Sequence, residues 1–401
     1  MKGLEYFSRI NNKWKLTTYA LSAFLIVASV MYIYRYEPFS SGFEITDELG
    51  GNIFPVTILS TATTDANLIV PSDTNYIGNP KSCIAIRVKS TYANSKLRIE
   101  VAETPFFSRS VSEFVLPEAG KEYLVFPDII WNYNALRENE QAVPVSVSVR
   151  AELNKRELGN SVHTFSVRSI NECLLGYMDS RMKFHDTGDF FAAYVNEDNP
   201  KIDQLLREAL NTRIVNRFWG YQSKSSEAVD KQVYALWYVL QKRNFKYSSI
   251  SNSSLSSNVV FTQRVRTFDD ALESAQINCV DGSVLFASLL KAININPILV
   301  RVPGHMFVGY YTDRMHQNIH FLETSMIGDV NLDDFFPEEK LDSTMAEKSQ
   351  ESISRFVFEK SKEYATRIYK ENEKLIHSGK VNYMFLEIDK ATRAYIQPIG
   401  K

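Results

Sequence analysis

Residues 278–311 read NCVDGSVLFASLLKAININPILVRVPGHMFVGYY, and this stretch decides the fold of the second half of the chain. Its first part gathers aliphatic residues on one face, as in a helix that begins at Asn278 or Cys279. The segments ILVRV and HMFVGYY have the composition of strands, and Pro303 and Gly304 between them are typical turn residues. The stretch therefore predicts a helix followed by a β-hairpin.

A third predicted strand, IHFLETS at residues 319–325, completes a series in which a cysteine, a histidine and a glutamate lie on successive elements. A thiol reacts as its thiolate, which the exposed amides of a helix N-terminus stabilise. A histidine can accept the thiol proton, and a carboxylate can orient that histidine. We therefore predict a catalytic triad of Cys279 as nucleophile, His305 as general base and Glu323 as orienting carboxylate. The sequence does not give the strand register that would bring them together.

The motif NCVDGSVLFASLLKA, the strand that carries His305 and the segment FLETS together resemble the transglutaminase-like superfamily, over roughly residues 225–330. That family is papain-related in architecture and includes transglutaminases, bacterial thiol proteases, peptide N-glycanases and arylamine acetyltransferases. The resemblance implies that Cys279, His305 and Glu323 act on amide or ester carbonyls. The sequence departs from the family pattern at Glu323, where aspartate is usual, and in the short spacing from Cys279 to His305.

Attack on a carbonyl also requires hydrogen-bond donors for the oxyanion that develops. The amide of Cys279 is one candidate, and Gln263 and Gln276 are alternatives for a second donor. No dinucleotide or phosphate-binding glycine motif is present, so we expect no cofactor. His316 and His320 are four residues apart, but they lie around a turn between strands rather than on a helix, so we expect no metal site.

Residues 16–34, LTTYALSAFLIVASVMYIY, contain no charged side chain and are long enough to cross a bilayer as a helix. Basic residues dominate residues 1–15, so the positive-inside rule predicts a cytoplasmic N-terminal tail. A cleaved signal sequence is the alternative, although it usually has a shorter apolar core and a cleavage site of small residues. We predict a single-pass anchor in the bacterial inner membrane, with the bulk of the chain in the periplasm or otherwise outside the cytoplasm.

The remaining chain divides into a linker and two folded parts. After the linker, at 35–50, residues 51–168 form short alternating segments without a strong helical pattern, which predicts an antiparallel β-sandwich. Residues 169–401 begin with amphipathic helices and form the predicted transglutaminase-like domain. This domain ends with a charged helix over 345–376 and two closing strands, YMFLEID and AYIQPI. The predicted fold class is therefore α+β.

Composition and cysteine content limit the function classes. The 401 residues carry a net charge of −2, so no electrostatic excess favours a nucleic-acid partner. In an exported chain Cys83 and Cys173 either form a disulfide or stay two separate buried thiols. We predict a thiol enzyme that acts on a protein or peptide, with hydrolysis favoured over acyl transfer because water is abundant outside the membrane. The alternative is a non-catalytic scaffold or partner-binding protein of the cell envelope with the same fold.

Overall fold

A computed structural model of the chain describes residues 2–36, 42–71, 73–248, 255, 257–328, 331–341 and 348–400. The protein is a mixed α+β protein with 37% helix and 28% strand. It divides into two units. The first comprises Met1–Asp47, Asp73–Trp131 and Ser146–Thr164, and the second comprises Glu48–Ser72, Asn132–Val145 and Phe165–Lys401.

The helices and strands are numbered along the chain. The described α-helices are α1 (Lys2–Tyr36), α2 (Pro55–Thr61), α3 (Tyr133–Arg137), α4 (Pro200–Asn211), α5 (Ser226–Gln241), α6 (Phe268–Ser274), α7 (Cys279–Ala292), α8 (Gln350–Ile376) and α9 (Lys390–Tyr395). The described strands are β1 (Glu44–Thr46), β2 (Asn52–Ile53), β3 (Tyr76–Gly78), β4 (Ala85–Lys89), β5 (Ser95–Val101), β6 (Phe107–Ser108), β7 (Ser110–Leu116), β8 (Glu122–Phe126), β9 (Ile130–Trp131), β10 (Val143–Leu153), β11 (Arg156–Val167), β12 (Glu172–Met178), β13 (Phe184–Asp186), β14 (Lys246–Tyr247), β15 (Val260–Arg264), β16 (Gln276–Ile277), β17 (Pro297–Val302), β18 (His305–Tyr311), β19 (Ile319–Leu322) and β20 (Met384–Glu387).

Helix α1 contains the predicted apolar span. Its segment Trp14–Tyr32 is long and apolar enough to cross a membrane, and all of its residues are exposed. The hydroxyls of Thr17 and Thr18 donate to the carbonyl of Trp14 at 2.9 and 2.8 Å, so these polar groups are satisfied within the helix, as a lipid environment requires. A membrane anchor and a signal sequence both have such an N-terminal helix.

The two larger groups of hydrogen-bonded strands in the first unit have the orders β1-β4-β8-β3 and β11-β10-β5-β7, and the short strands β6 and β9 form a further pair. Most pairs are antiparallel, whereas β3 and β8 are parallel. Side chains alternate along these strands, as the sequence pattern predicts. In β5, Leu97, Ile99 and Val101 are buried and charged residues lie between them. One face of the strand therefore supplies the core.

The second unit is centred on an antiparallel sheet with the strand order β19-β18-β17-β20. Ile298, Val300, Phe307 and Phe321 on this sheet form a buried cluster with Ala365 of α8. Helix α7 packs against β17 and β18. The strand YMFLEID predicted near the C-terminus is present as β20, which pairs with β17.

The second predicted closing strand, AYIQPI, is wrong. Helix α9 includes only its first two residues, because the side chain of Asp389 accepts the amide of Thr392 at 2.9 Å and caps a helix that ends at Tyr395. Residues 396–400 form neither helix nor strand. The residues after α9 are held by the rest of the unit, with the amide of Ile399 donating to the carbonyl of Ala193 at 2.9 Å. The helix predicted over 345–376 begins at Gln350 among the described residues.

The division into units differs from the predicted continuous range 51–168. Helix α2 interrupts that range, and every residue of Pro55–Thr61 is buried. Proline in the first turn is compatible with a helix because its missing N–H would have no intrahelical acceptor. Helix α3 begins where Asn132 accepts the amide of Ala135 at 3.2 Å. Residues 48–72, which contain α2, and residues 132–145, which contain α3, both belong to the second unit.

Cys83 and Cys173 are buried thiols and do not form a disulfide. Cys83 follows the 3₁₀ turn Pro80–Ser82 in a left-handed conformation, with φ of 56°. Cys173 lies within β12, and its burial raises the pKa of its thiol well above the ordinary value. Cys173 is therefore expected to be a poor nucleophile at neutral pH.

Candidate active site

Helix α7 begins at Cys279, as the sequence predicts, and its start is fixed by a reciprocal capping box. Asn278 is the N-cap, and its Oδ1 atom accepts the amides of Val280 at 2.9 Å and Asp281 at 2.8 Å. In return, the carboxylate of Asp281 accepts the amide of Asn278 at 3.1 Å. Because the first helical residue is Cys279, its sulfur lies at the positive end of the helix dipole.

A buried ion pair supports this helix start. The Nη1 atom of Arg266 donates to Oδ2 of Asp281 at 2.6 Å, and the amide of Arg266 donates to Oδ1 at 2.8 Å. Asp281 is only 1% exposed. The spacing of Asp281 from Asn278 is a capping-box signal that can be recognised in the sequence. Arg266, which lies before α6, had no comparable signal in the sequence.

The strand register brings the histidine and the glutamate together. Val302 pairs with His305 across the Pro303-Gly304 turn, in which Gly304 has φ of 75°. On the other side of β18, Val308 pairs with Leu322. Continuing this ladder by one residue puts Glu323 opposite the residue at 307, so His305 is its diagonal neighbour on the same face. The sequence supplied the strands and the turn, and the structure supplies this register.

Glu323 contacts His305 directly. The Nε2 atom of His305 lies 2.5 Å from Oε2 of Glu323, a carboxylate with no solvent exposure. The second carboxylate oxygen, Oε1, accepts the amide of Ser325 at 3.1 Å and its hydroxyl at 2.6 Å. The backbone amide of Glu323 donates to the hydroxyl of Ser361 in α8 at 3.0 Å. Both carboxylate oxygens and the backbone are thus fixed, so the carboxylate is held in place toward the imidazole.

His305 lies close enough to Cys279 for the thiol, as well as Glu323, to raise the pKa of its imidazole. Because Nε2 contacts Glu323, Nδ1 is the ring nitrogen left for the sulfur. Burial disfavours the imidazolium and lowers the pKa of His305, but the interactions with Cys279 and Glu323 outweigh it and raise this pKa to about 10. The Cys279 residue is 9% exposed and the His305 side chain 25% exposed, so the group is largely but not fully enclosed.

Tyr247 lies beside this group and was not singled out from the sequence, which offers no signal for it. Strand β14 pairs in parallel with β16, so Tyr247 is opposite Ile277, two residues before Cys279. Burial and the negative charges of Cys279 and Glu323 raise the pKa of Tyr247 to about 12. Its phenol therefore stays protonated at neutral pH. Most of the serine-rich segment 248–256 that follows lies outside the described residues.

The two glutamines considered as oxyanion donors make other contacts. Gln263 donates to the carbonyl of Arg264 at 3.2 Å, and Oε1 of Gln276 accepts from Arg266 at 3.4 Å. Neither bond involves Cys279.

The two remaining histidines of this region have separate partners. His316 stacks on the ring of Tyr311, and its Nε2 atom lies 2.7 Å from the side-chain amide of Asn296. The Nδ1 atom of His320 lies 2.8 Å from Oδ1 of Asp230. Within the described part of the chain, no group of three or more histidine, cysteine, aspartate or glutamate residues could hold a metal ion.

The three predicted site residues therefore converge. A thiol at a helix N-terminus lies near an imidazole that contacts a buried carboxylate, and thiol nucleophiles use these three groups for proton transfer. Comparison of the chain with protein-family models, with curated proteins and with solved structures finds no match in any of the three.

Proposed function

We propose that this chain is a membrane-anchored thiol enzyme with a transglutaminase-like domain, which attacks amide or ester carbonyls through Cys279, His305 and Glu323. The observation that carries the proposal is that His305 is held 2.5 Å from the buried carboxylate of Glu323 and lies near Cys279 at the start of α7. A cysteine that serves only in packing has no need of a charged imidazole held by a buried carboxylate.

Each residue has a defined part in the proposed reaction. The proton of the Cys279 thiol passes to His305, and the sulfur forms a bond to the carbonyl carbon of the substrate. His305 then returns the proton to the leaving amine or alcohol as the bond to the carbon breaks, which leaves an acyl group on the sulfur. Water, deprotonated by His305, releases this acyl group as a carboxylic acid. Glu323 orients the imidazole throughout.

Protein or peptide substrates and hydrolysis remain the favoured reading within this proposal. Water reaches an extracytoplasmic site freely, whereas transfer to an amine requires a site that excludes water. The cytoplasmic N-terminus and the extracytoplasmic placement of both units rest on the basic residues that precede the apolar part of α1.

We further propose that the two larger groups of strands in the first unit pack as a β-sandwich. Two contacts support this arrangement. A Cβ atom placed on Gly78 of β3 would lie 3.2 Å from the ring of Phe114 of β7, and the amide of Asp128 donates to the hydroxyl of Ser112 at 2.9 Å.

Labelling of the full-length protein with iodoacetamide at pH 7 tests the catalytic proposal. We expect Cys279 to be alkylated and His305→Ala to slow this alkylation at least about 10-fold, because the base that accepts the thiol proton is lost. Mass spectrometry of the digested protein locates the label. Cys279→Ala should abolish labelling at this position, and the buried Cys173 should stay unmodified on the same time scale.

His320→Ala is a matched control, since His320 also pairs with a carboxylate but contacts Asp230. It should leave the labelling of Cys279 unchanged. Equal alkylation of Cys279 in the wild-type and His305→Ala proteins would contradict the catalytic proposal and favour the non-catalytic scaffold.

A further inference from the structure

A buried donor without an acceptor lies at the start of the nucleophile's helix. Asn278 is 1% exposed, and its side-chain nitrogen Nδ2 has no hydrogen-bond partner among the described residues. A buried polar group left unpaired costs about 1–3 kcal/mol, so such a group calls for an explanation.

The orientation of this side-chain amide follows from its partners. Oδ1 accepts two backbone N–H groups, those of Val280 at 2.9 Å and Asp281 at 2.8 Å. Exchanging the oxygen and the nitrogen would direct the NH₂ group against two N–H donors, which excludes the flipped amide. The unpaired atom is therefore the donor. It is bonded to the same carbon as Oδ1, so the cap holds it at the first turn of α7.

The backbone amide of Cys279 is a second donor at the start of α7. The cap engages the next three amides, since Oδ1 of Asn278 accepts those of Val280 and Asp281, and the Asn278 carbonyl accepts that of Gly282 at 3.0 Å. In the part of the chain that the structure describes, the amide of Cys279 makes no hydrogen bond. Two donors, one on the nucleophile and one on the residue before it, are thus available together.

We propose that the Asn278 side-chain amide and the Cys279 backbone amide together bind the oxyanion that forms when the Cys279 sulfur attacks a carbonyl. This inference rests on the function proposed above. It assigns to Asn278 two roles, in which Oδ1 caps the helix and Nδ2 stabilises the tetrahedral intermediate. It also replaces Gln263 and Gln276 as the second donor.

The test compares an acylating and an alkylating reagent on the full-length protein in detergent. With p-nitrophenyl acetate, the thiol proton passes to His305 and the sulfur bonds to the acetyl carbon, which gives a tetrahedral intermediate with an oxyanion. This intermediate collapses as the bond to p-nitrophenolate breaks. With iodoacetamide, the sulfur displaces iodide and no oxyanion forms. We expect Asn278→Ser, whose hydroxyl can still cap the helix, to slow acylation of Cys279 about 100-fold, the order expected for one lost oxyanion donor. The rate of alkylation should stay within about twofold of wild type, because no oxyanion forms in that reaction.

Asn278→Thr is the second variant, since its hydroxyl can also cap the helix, it adds no charge, and it lacks the side-chain amide. Asn199→Ser is the matched control. Asn199 is also a buried N-cap, but its Nδ2 atom donates to Asp269 at 2.8 Å, and its replacement should change neither rate. Thermal unfolding confirms that each variant is folded.

Acylation rates for both Asn278 variants near the wild-type rate would overturn the inference. A parallel loss of acylation and alkylation would also overturn it, because Asn278 would then act only by positioning the thiol. If the wild-type protein is alkylated but never acetylated at Cys279, the proposed enzymatic function fails as well.

Discussion

The geometry of the site shows how the side chain of Glu323 reaches the imidazole of His305. Glu323 lies just after the end of β19, diagonal to His305 rather than directly opposite it. Diagonal neighbours on a sheet are about 7–8 Å apart, against about 5 Å for direct pairs. The additional methylene group of glutamate helps to span this distance, and the observed contact of 2.5 Å shows that it does.

Replacing Glu323 should change how stability depends on pH. The pKa of His305 is raised from 6.5 to about 10, so the stabilisation linked to its charge is fully present below pH 6.5 and is lost as the pH rises toward 10. Glu323→Gln keeps the shape of the side chain and removes its charge. We expect this variant to be less stable than wild type at pH 6, and the difference in unfolding free energy to shrink between pH 6.5 and 10. Urea unfolding across this range measures it.

Glu387→Gln provides the comparison, because Glu387 lies 3.5 Å from the ring of His316 and contacts neither Cys279 nor His305. The difference in unfolding free energy between wild type and Glu387→Gln should not shrink between pH 6.5 and 10 in the same way. A difference between wild type and Glu323→Gln that is constant from pH 6 to 10 would contradict the assignment of the raised pKa to this pair.

At the level of secondary structure, the features that could be predicted from the sequence are those that depend on neighbouring residues. The start of α7, the Pro303-Gly304 turn and the strands around it follow from capping, turn residues and alternation. Local patterns do not contain the register that makes Glu323 a neighbour of His305, because register depends on pairing between distant segments. The same limit applies to Arg266, whose contact with Asp281 joins segments fifteen residues apart. At AYIQPI the alternating pattern predicts a strand that does not form, since the helix capped by Asp389 extends to Tyr395 and residues 396–400 have no regular structure.

Gly282 controls how closely α7 approaches the turn that follows Glu323. A Cβ atom at Gly282 would lie 2.9 Å from Oγ1 and 3.1 Å from Cβ of Thr324. Alanine is favoured over glycine by about 1 kcal/mol within a helix, but overpacking a core contact costs about 1–3 kcal/mol. We expect Gly282→Ala to lower the unfolding free energy and to slow alkylation of Cys279, because the helix must move away from the segment that carries Glu323. Urea unfolding and labelling rates measure both effects.

A second substitution identifies the cause. Thr324→Ala removes the closer of the two atoms, so combining it with Gly282→Ala should recover part of both losses relative to the Thr324→Ala protein alone. A Gly282→Ala protein with wild-type stability and labelling would show that the two elements are not in close contact.

At the scale of the whole molecule, the second unit is assembled from the two ends of its sequence. The amide of Gln397 donates to the carbonyl of Ser60 at 2.8 Å, and the hydroxyl of Thr64 lies 3.4 Å from the carbonyl of Tyr395. These contacts join residues more than three hundred positions apart in the chain. A single boundary at residue 168 does not describe this arrangement, because the second unit also contains earlier segments of the chain. A change in local sequence pattern carries no information on which distant segments meet.

The N-terminal helix is long and apolar enough to anchor the protein in a membrane. Its 19-residue segment Trp14–Tyr32 is about 28 Å long as a helix, close to the thickness of a bilayer core of about 30 Å.

We expect the full-length protein to stay in the membrane fraction after washing with high salt and with alkaline carbonate. Leu21→Arg combined with Leu25→Arg should release it, since each arginine near the centre of a span costs about 2.5–3.5 kcal/mol, whereas the matched pair Leu21→Ala and Leu25→Ala should not. Release of the wild-type protein by carbonate would contradict anchoring by α1. An intact mass that lacks this helix would identify a cleaved signal sequence instead.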